Sequence, residues 1–119
     1  MAVLVFDTAA RFCSVCLFDE TAGDVVAAIE DEIGRGHAER LMGTVEAVMA
    51  KAGTSFDALS GIAVTIGPGS FTGIRVGVAA ARGFALARDL PVTGVTTLET
   101  IATQALVGRR PAGPLAVLI

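Results

Sequence analysis

The sequence predicts an α/β domain built on a mixed sheet of about five strands with helices packed against it. Three observations predict this fold class. The first third of the chain alternates short β-type runs with short turns, as neighbouring antiparallel strands do. From residue 37 the apolar residues recur at intervals of three and four, as in an amphipathic helix. Beyond residue 60, strand-like and helix-like runs alternate, which predicts parallel strands joined by helical crossovers.

Three predicted strands open the chain. They cover residues 2–7 (AVLVFD), 12–19 (FCSVCLFD) and 24–31 (DVVAAIED), separated by the short segments TAAR and ETAG. Turns this short join antiparallel strands, whereas parallel strands need a crossover of about a dozen residues or more. This part of the chain therefore predicts a meander.

An amphipathic helix is predicted over residues 37–52. Leu41, Val45 and Val48 share one side of it, with charged residues elsewhere. Gly53 is a suitable C-terminal cap, so the helix is expected to end there.

The rest of the chain alternates between strand and helix. We predict a strand at 61–66 (GIAVTI), a helix at 72–89, a strand at 91–95 (PVTGV) and a helix opened by Thr96 or Thr97. The resulting order, βββαβαβα, is the layout of a ribonuclease-H-like or actin-like domain. We expect this domain to cover residues 1–110. The final apolar run, GPLAVLI, predicts that a second domain, missing from this chain, starts at residues 111–119.

Composition and charge restrict the function classes. The chain has 119 residues, enough for one domain with its own core, and its formal net charge is −3 at pH 7. An acidic chain has no general basic surface for neutralising a nucleic-acid backbone, so direct RNA or DNA binding is disfavoured. No run of about 18 apolar residues is free of charge, which argues against a membrane helix. The N-terminus lacks the basic leader of a secretion signal, so we predict a cytoplasmic protein.

The apolar content is high and consists of small side chains. Hydrophobic residues make up 53% of the chain, but aromatic residues only 5%. A chain of this kind exposes more apolar surface than a monomer tolerates, which points to a partner or a missing domain.

The stretch IGPGSFTGIRVG, residues 66–77, joins a strand to a helix and leaves two alternatives. Its spacing matches neither a Walker A loop, which needs Lys before its Ser or Thr, nor the dinucleotide pattern, which needs Gly at position 72. The free N–H groups at the helix start, with the hydroxyls of Ser70 and Thr72, could hold an anion. The pattern favours the second alternative, a tight turn in which Pro68 fixes φ and Ser70 or Thr72 caps the helix.

Asp7 stands at the end of the first predicted strand and is followed by Thr8. A carboxylate at that place orients a Mg²⁺-bound water in actin-like phosphotransferases. It is equally an ordinary Asp that begins a turn, and both interpretations stay open.

Small residues recur every four positions in the predicted helix 72–89. This ridge consists of Gly73, Gly77, Ala81 and Ala85, and a polar stripe consists of Arg75, Arg82 and Asp89. A small-residue ridge permits close approach of another element. Because the other faces are apolar, we expect the helix to be covered on two sides. The sheet is one cover, and the second is either the helix 37–52 or a partner subunit.

Cys13 and Cys16 form a C-x-x-C pattern inside an alternating strand. Strand side chains at this spacing point to opposite faces, so two separate core or near-core residues are favoured over a joint redox or zinc site. His37 is the single histidine, so the chain cannot build a metal site from a histidine pair, and no metal is predicted.

Several stretches together resemble a known family. They are DTAARFCSVCLFD, GHAERL and GPGSFTGIRVGVAAARGFALARDLPVTGVTTLETIA. These stretches and their spacing are similar to the N-terminal half of the TsaB (YeaZ) family, and the resemblance runs along essentially the whole chain. It implies an actin-like (ASKHA) domain related to the glycoprotease-like TsaD fold.

The resemblance also implies a function. Members of this family take part in making threonylcarbamoyladenosine at N6 of adenosine 37 in tRNA. They are not the catalyst, but pair with a TsaD-like transferase that carries the metal. A TsaE-like ATPase acts with the pair, and the family forms homodimers. By resemblance we expect a non-catalytic scaffold subunit that reaches tRNA only through the complex.

The site residues implied by the resemblance fall into two groups. Family members associate through helices of the N-terminal domain, so the expected partner interface comprises Leu41, Val45, Val48, Gly73, Arg75, Gly77, Ala81 and Arg82. The expected remnant of a nucleotide site comprises Asp7, Thr8, Gly67, Gly69 and Ser70. Ala9 stands where ATP-binding relatives have Gly, so we expect no cofactor beyond weak, vestigial binding of ATP or ADP.

Two other activities are alternatives to the scaffold role. A metallo-glycoprotease-like peptidase is one, and the single histidine argues against it. A phosphotransferase of the same fold is the other, and it would bind ATP and Mg²⁺ in a manner that depends on Asp7.

Overall fold

A computed structural model describes residues 1–32 and 37–100. Its strands are β1 (Ala2–Asp7), β2 (Phe12–Asp19), β3 (Asp24–Glu32), β4 (Leu59–Thr65) and β5 (Val92–Val95). Its helices are α1 (His37–Ala52) and α2 (Phe71–Arg88), and a short 3-10 turn, Phe56–Ala58, precedes β4. A further helical turn occupies residues 97–100.

The strands form one mixed sheet in the order β3-β2-β1-β4-β5. Strands β1, β2 and β3 pair antiparallel, while β4 pairs parallel with β1 on one side and with β5 on the other. The long connections between the parallel strands contain α1 and α2, as parallel pairing requires. The predicted meander followed by helical crossovers is therefore confirmed.

Both helices cover the same face of the sheet. α1 packs on β2 and β3, and α2 packs on β4. On this face Leu4 lies opposite Leu17 of β2 and Ile62 of β4, and all three are at most 1% exposed. The intervening residues of β1, such as Val3 and Val5, face the other side and are only partly buried. The hydrophobic core thus lies between the helices and one face of the sheet.

The 3-10 turn before β4 was not predicted. Ser55 caps it by accepting a hydrogen bond on Oγ from the Asp57 N–H, 3.2 Å away. The Phe56 ring stacks on that of Phe84 in α2, with 5.7 Å between centroids. As a result β4 begins at the buried Leu59 and not at residue 61. A turn this short has no repeat that a sequence pattern could reveal.

The helical turn after β5 begins as predicted. Thr96 accepts a hydrogen bond on Oγ1 from the Glu99 N–H, 3.0 Å away, which is the geometry of an N-cap. The predicted domain boundary at residue 110 and the predicted second domain at 111–119 lie outside the described residues. In the part of the chain that is described, no helix is long and apolar enough to cross a membrane.

Candidate functional site

The start of α2 lies against the turn that joins β1 to β2. Ser70 is the N-cap of α2, and its Oγ accepts a hydrogen bond from the Gly73 N–H, 3.2 Å away. The Ser70 N–H in turn donates to the Ala9 carbonyl at 2.6 Å. The capping turn predicted for this stretch is confirmed, with Ser70 rather than Thr72 as the cap.

Glycine is required where α2 approaches the β1–β2 turn. A Cβ on Gly73 would lie 2.0 Å from the Thr8 carbonyl oxygen, and one on Gly77 would lie 2.5 Å from Thr8 Oγ1. Both distances are far shorter than an ordinary van der Waals contact of about 3.5–4 Å. The Thr8 hydroxyl donates a hydrogen bond to the Gly73 carbonyl across this contact. The small-residue ridge therefore serves to bring α2 close to the sheet.

Most of the residues expected at a partner interface are buried inside this chain. They are Leu41, Val45, Val48, Gly73, Gly77 and Ala81. The three α1 side chains are at most 1% exposed and belong to the hydrophobic core, and the α2 ridge faces the sheet. For these residues the prediction is wrong, because side chains with no exposed surface cannot contact a partner. Arg75 and Arg82 are exposed and stay candidates.

Four of the five residues expected around a nucleotide lie at or against the β1–β2 turn, and they are Asp7, Thr8, Gly69 and Ser70. Asp7 accepts a hydrogen bond on Oδ1 from the Ala9 N–H at 2.9 Å, as an Asp that begins a turn does. The Gly67 carbonyl accepts one from the Thr97 N–H at 2.9 Å. A Cβ on Gly69 would lie 2.5 Å from the Ala9 carbonyl oxygen. Residues 8 and 9 thus fill the space in front of α2, and a nucleotide role for this cluster stays a prediction.

The two helices together present an outer face that sequence reasoning missed. We call it the outer helical face; it comprises Phe71, Arg75, Ala79, Arg82 and Leu86 of α2 and Met42, Gly43, Glu46 and Ala50 of α1, all exposed. Phe71 is 75% exposed and Leu86 is 88% exposed. The Arg75 guanidinium lies 5.2 Å from the centroid of the Phe71 ring, within cation–π distance.

The composition of the outer helical face makes it a candidate binding surface. Phe71, Leu86 and Met42 leave large apolar side chains exposed on this face, and exposed apolar surface is one mark of interaction sites. Aromatic residues and arginines also supply much of the binding energy at protein interfaces. The available sequence signal was the spacing of seven between Arg75 and Arg82, which places them on one side of α2. Because α2 is apolar on nearly every other side, its pattern could not tell which side meets the sheet.

Replacing Ser70 with alanine removes the N-cap of α2. We expect the free energy of unfolding to fall by about 1 kcal/mol. Urea unfolding measures this loss, and Thr72→Ala, at an exposed position in the same turn, is the matched control. An equal loss in both variants would contradict the assignment of Ser70 as the cap.

Cys13 and Cys16 lie on opposite faces of the sheet, as their spacing predicted. Cys13 is buried on the face that the helices cover, Cys16 is half-buried on the other face, and both are free thiols. Burial raises the pKa of each thiol above its ordinary value, and a hydrogen bond with Thr44 partly opposes this for Cys13. In residues 1–32 and 37–100 no group of three or more His, Cys, Asp and Glu residues is placed to hold a metal ion.

The raised pKa values predict slow alkylation of both cysteines. The thiolate is the reactive form, so a higher pKa leaves less of it at neutral pH. We expect Cys16 to react with iodoacetamide more slowly than a free thiol, and the rate to keep rising above the pH at which a free thiol is fully ionised. Cys13 should react only after unfolding. Mass spectrometry of timed samples, with and without denaturant, measures the alkylation of each cysteine. Equal modification of the two cysteines in the folded protein would contradict this prediction.

Comparison with known proteins identifies the family to which this chain is related. The family model TsaD, tRNA N6-adenosine threonylcarbamoyltransferase, matches residues 27–119. The tRNA threonylcarbamoyladenosine biosynthesis protein TsaB of Escherichia coli (strain K12) is 41% identical over 105 residues, which are 88% of this chain and 44% of that protein. The TsaB protein of Haemophilus influenzae is 33% identical over 105 residues, 88% of this chain and 43% of its own length.

A solved structure agrees with these relatives. YeaZ from Pseudomonas aeruginosa matches with a TM-score of 0.83 and 35% sequence identity, covering 89% of this chain and 48% of that chain. YeaZ and the TsaD family have the actin-like fold, so the predicted fold class is confirmed. This chain spans less than half the length of the curated relatives it matches. From the matched family model and these relatives, the chain belongs to the TsaD family of tRNA N6-adenosine threonylcarbamoyltransferases, and the two relatives named above are TsaB proteins.

Proposed function

We propose that this protein acts in tRNA threonylcarbamoyladenosine biosynthesis as a non-catalytic subunit that binds a TsaD-like transferase. The observation that carries the proposal is the 41% identity to a TsaB protein along 88% of the chain. Because the chain spans 44% of that relative, the activity and partners of the whole protein are part of the proposal.

The outer helical face is the proposed contact with the transferase. Phe71 and Leu86 stand about four helical turns apart, roughly 22 Å along the axis of α2. Arg75 and Arg82 lie between them, so apolar and cationic side chains alternate along this line. A stable interface needs about 800 Å² from each partner, which one helix alone does not offer. The neighbouring side of α1, with Met42 and the small Gly43 and Ala50, widens the surface.

A non-catalytic role agrees with the hydrogen bonds that the polar side chains at the start of α2 make within this chain. Asp7, Thr8 and Ser70 each hydrogen-bond within the turn and helix start that they form. These bonds give each group a structural role, and the proposal includes no cofactor beyond weak binding of ATP or ADP. Contact with tRNA falls to the rest of the complex, in agreement with the net charge of −3.

The proposal includes two further associations and a location. A TsaE-like ATPase acts with the pair of subunits. In the absence of the transferase, two copies of this protein form a homodimer. All of this takes place in the cytoplasm.

The test reconstitutes tRNA modification with the full-length protein. A TsaD-like transferase, a TsaE-like ATPase and a threonylcarbamoyl donor are incubated with unmodified tRNA, with or without this protein, and the modified nucleoside is measured by mass spectrometry. We expect modification when this protein and the transferase are both present, and none with this protein alone.

Two results would overturn the proposal. Modification of tRNA by a metal-free preparation of this protein alone would exclude a non-catalytic role. Light scattering that shows no gain of mass on mixing with the transferase would exclude the partner assignment.

A further inference from the structure

Thr8 makes a buried contact with a residue far away in the sequence, and the proposed function does not explain this contact. The residue is 0% exposed, and its Oγ1 donates to the Gly73 carbonyl in the first turns of α2. In an α-helix that carbonyl already accepts a hydrogen bond from the N–H four residues on. The carbonyl therefore does not need Thr8, but the buried hydroxyl needs an acceptor, because an unpaired buried hydroxyl costs free energy. The bond favours the position of α2 that places Gly73 over Thr8.

Different contacts hold the two ends of α2. Near its C-terminal end, the Phe84 ring packs against those of Phe6 and Phe56, whereas its first turns approach the sheet through glycines. Its sheet-facing ridge, Gly73, Gly77 and Ala81, has no side chain long enough to interlock with the strands. Because the ridge lacks such side chains, the hydrogen bonds across this contact bear on the position of the first turns of α2. Within the described residues, the Thr8 hydroxyl donates to the Gly73 carbonyl and the Ser70 N–H donates to the Ala9 carbonyl, and these two hydrogen bonds join the β1–β2 turn to the start of α2.

The same turns of α2 carry the beginning of the outer helical face. Phe71 and Arg75 are each two residues from Gly73 in sequence, and both are exposed while Gly73 is buried. Their side chains reach further from the helix axis than the Cα of Gly73, which lies about 2.3 Å from it. A small rotation of α2 therefore displaces the phenyl ring and the guanidinium more than it displaces the ridge.

We propose that Thr8 is a positioning residue for partner binding: its hydroxyl fixes the rotation and depth of the first turns of α2, so that Phe71 and Arg75 are presented to the transferase in one arrangement. This inference rests on the proposed function. A phosphotransferase of this fold would bind its nucleotide at the end of β1. In this protein, the inference assigns the end of β1 a role in protein recognition.

The experiment compares three variants of the full-length protein for affinity to a TsaD-like transferase by calorimetry. Thr8→Val replaces the hydroxyl with a methyl group, which cannot donate to the Gly73 carbonyl and needs more room beside it, and we expect binding to weaken by about tenfold or more. Thr8→Ser keeps the hydroxyl and should bind within about threefold of the unmodified protein. Val15→Ala is the matched control for stability, since Val15 is 2% exposed in β2, a strand that packs against α1. It should destabilise the fold without changing the affinity.

A second readout separates the inference from the proposed function. Amide hydrogen exchange of residues 71–76 should become faster in Thr8→Val than in Val15→Ala, with or without the transferase. If the parent protein binds the transferase and Thr8→Val loses no more affinity than Val15→Ala, the inference is wrong and the proposed function stands. If the unmodified protein fails to bind, the proposed function is wrong. Unchanged exchange in residues 71–76 of Thr8→Val would overturn the positioning role in either case.

Discussion

Substitution of Gly73 by alanine is expected to destabilise the fold by about 3 kcal/mol or more, at or above the upper end of the usual overpacking cost. The new Cβ would lie 2.0 Å from the Thr8 carbonyl oxygen. That oxygen belongs to the backbone, so no side-chain rotation relieves the clash, and α2 must move away from β1. Such a movement also separates the Thr8 hydroxyl from its acceptor. Urea unfolding of the full-length protein measures the loss.

Gly83→Ala is the matched control for this prediction. Gly83 lies in the same helix, is exposed, and a Cβ built on it meets nothing within 4 Å. Alanine is a better helix former than glycine by about 0.5–1 kcal/mol, so this variant should be slightly more stable than the parent. A loss of stability of the same size in both variants would mean that the close approach of α2 to Thr8 is not what requires glycine.

The largest effect on partner binding is expected from Phe71→Asp. Phe71 is 75% exposed in the free protein, and the proposed function buries it against the transferase. The substitution removes the apolar ring from the contact and lets the new carboxylate pair with Arg75, which is then lost to the partner, so we expect the affinity to fall by about 100-fold, as for a hot-spot residue. Stability should hardly change, because Phe71 is the first residue of α2, where a negative charge interacts well with the helix dipole. Calorimetric titration of the full-length variant into the transferase measures the affinity.

Val25→Asp tests whether this loss is specific to the outer helical face. Val25 is 54% exposed on β3, at the edge of the sheet. The substitution makes the same chemical change away from α2, so the affinity should stay within about twofold of the parent. If Phe71→Asp binds as well as the parent, or if both variants lose affinity equally, the transferase does not contact the outer helical face as proposed.

Much of the fold could be predicted because its elements depend on local spacing. The alternation in FCSVCLFD predicted β2 with the bounds that the structure has, Phe12–Asp19. The intervals of three and four after His37 predicted α1, and Gly53 follows it with a φ of +64°, as a glycine cap does. The 3-10 turn Phe56–Ala58 was missed, since its main contact, Phe56 on Phe84, joins residues far apart in the chain.

The candidate site was predicted less well because exposure is not a local property. Leu41, Val45 and Val48 form an apolar stripe, and such a stripe contacts a partner or a core equally well; here it forms the core. The ridge of Gly73, Gly77 and Ala81 is ambiguous in the same way, because a sheet and a partner helix both favour small residues at a close approach. The outer helical face could be recognised only after these sides of α1 and α2 were seen to be buried.

The sequence by itself determined the strand and helix pattern, the Ser or Thr cap of α2, the separation of Cys13 from Cys16 and the resemblance to a family. Each of these follows from residue types at short, fixed spacings. Only the tertiary structure decided that Thr8 meets Gly73 and Gly77, and therefore which side of α2 faces away from the sheet. Thr8 and Gly73 are 65 positions apart. Their contact depends on how the whole sheet is assembled, which no local pattern records.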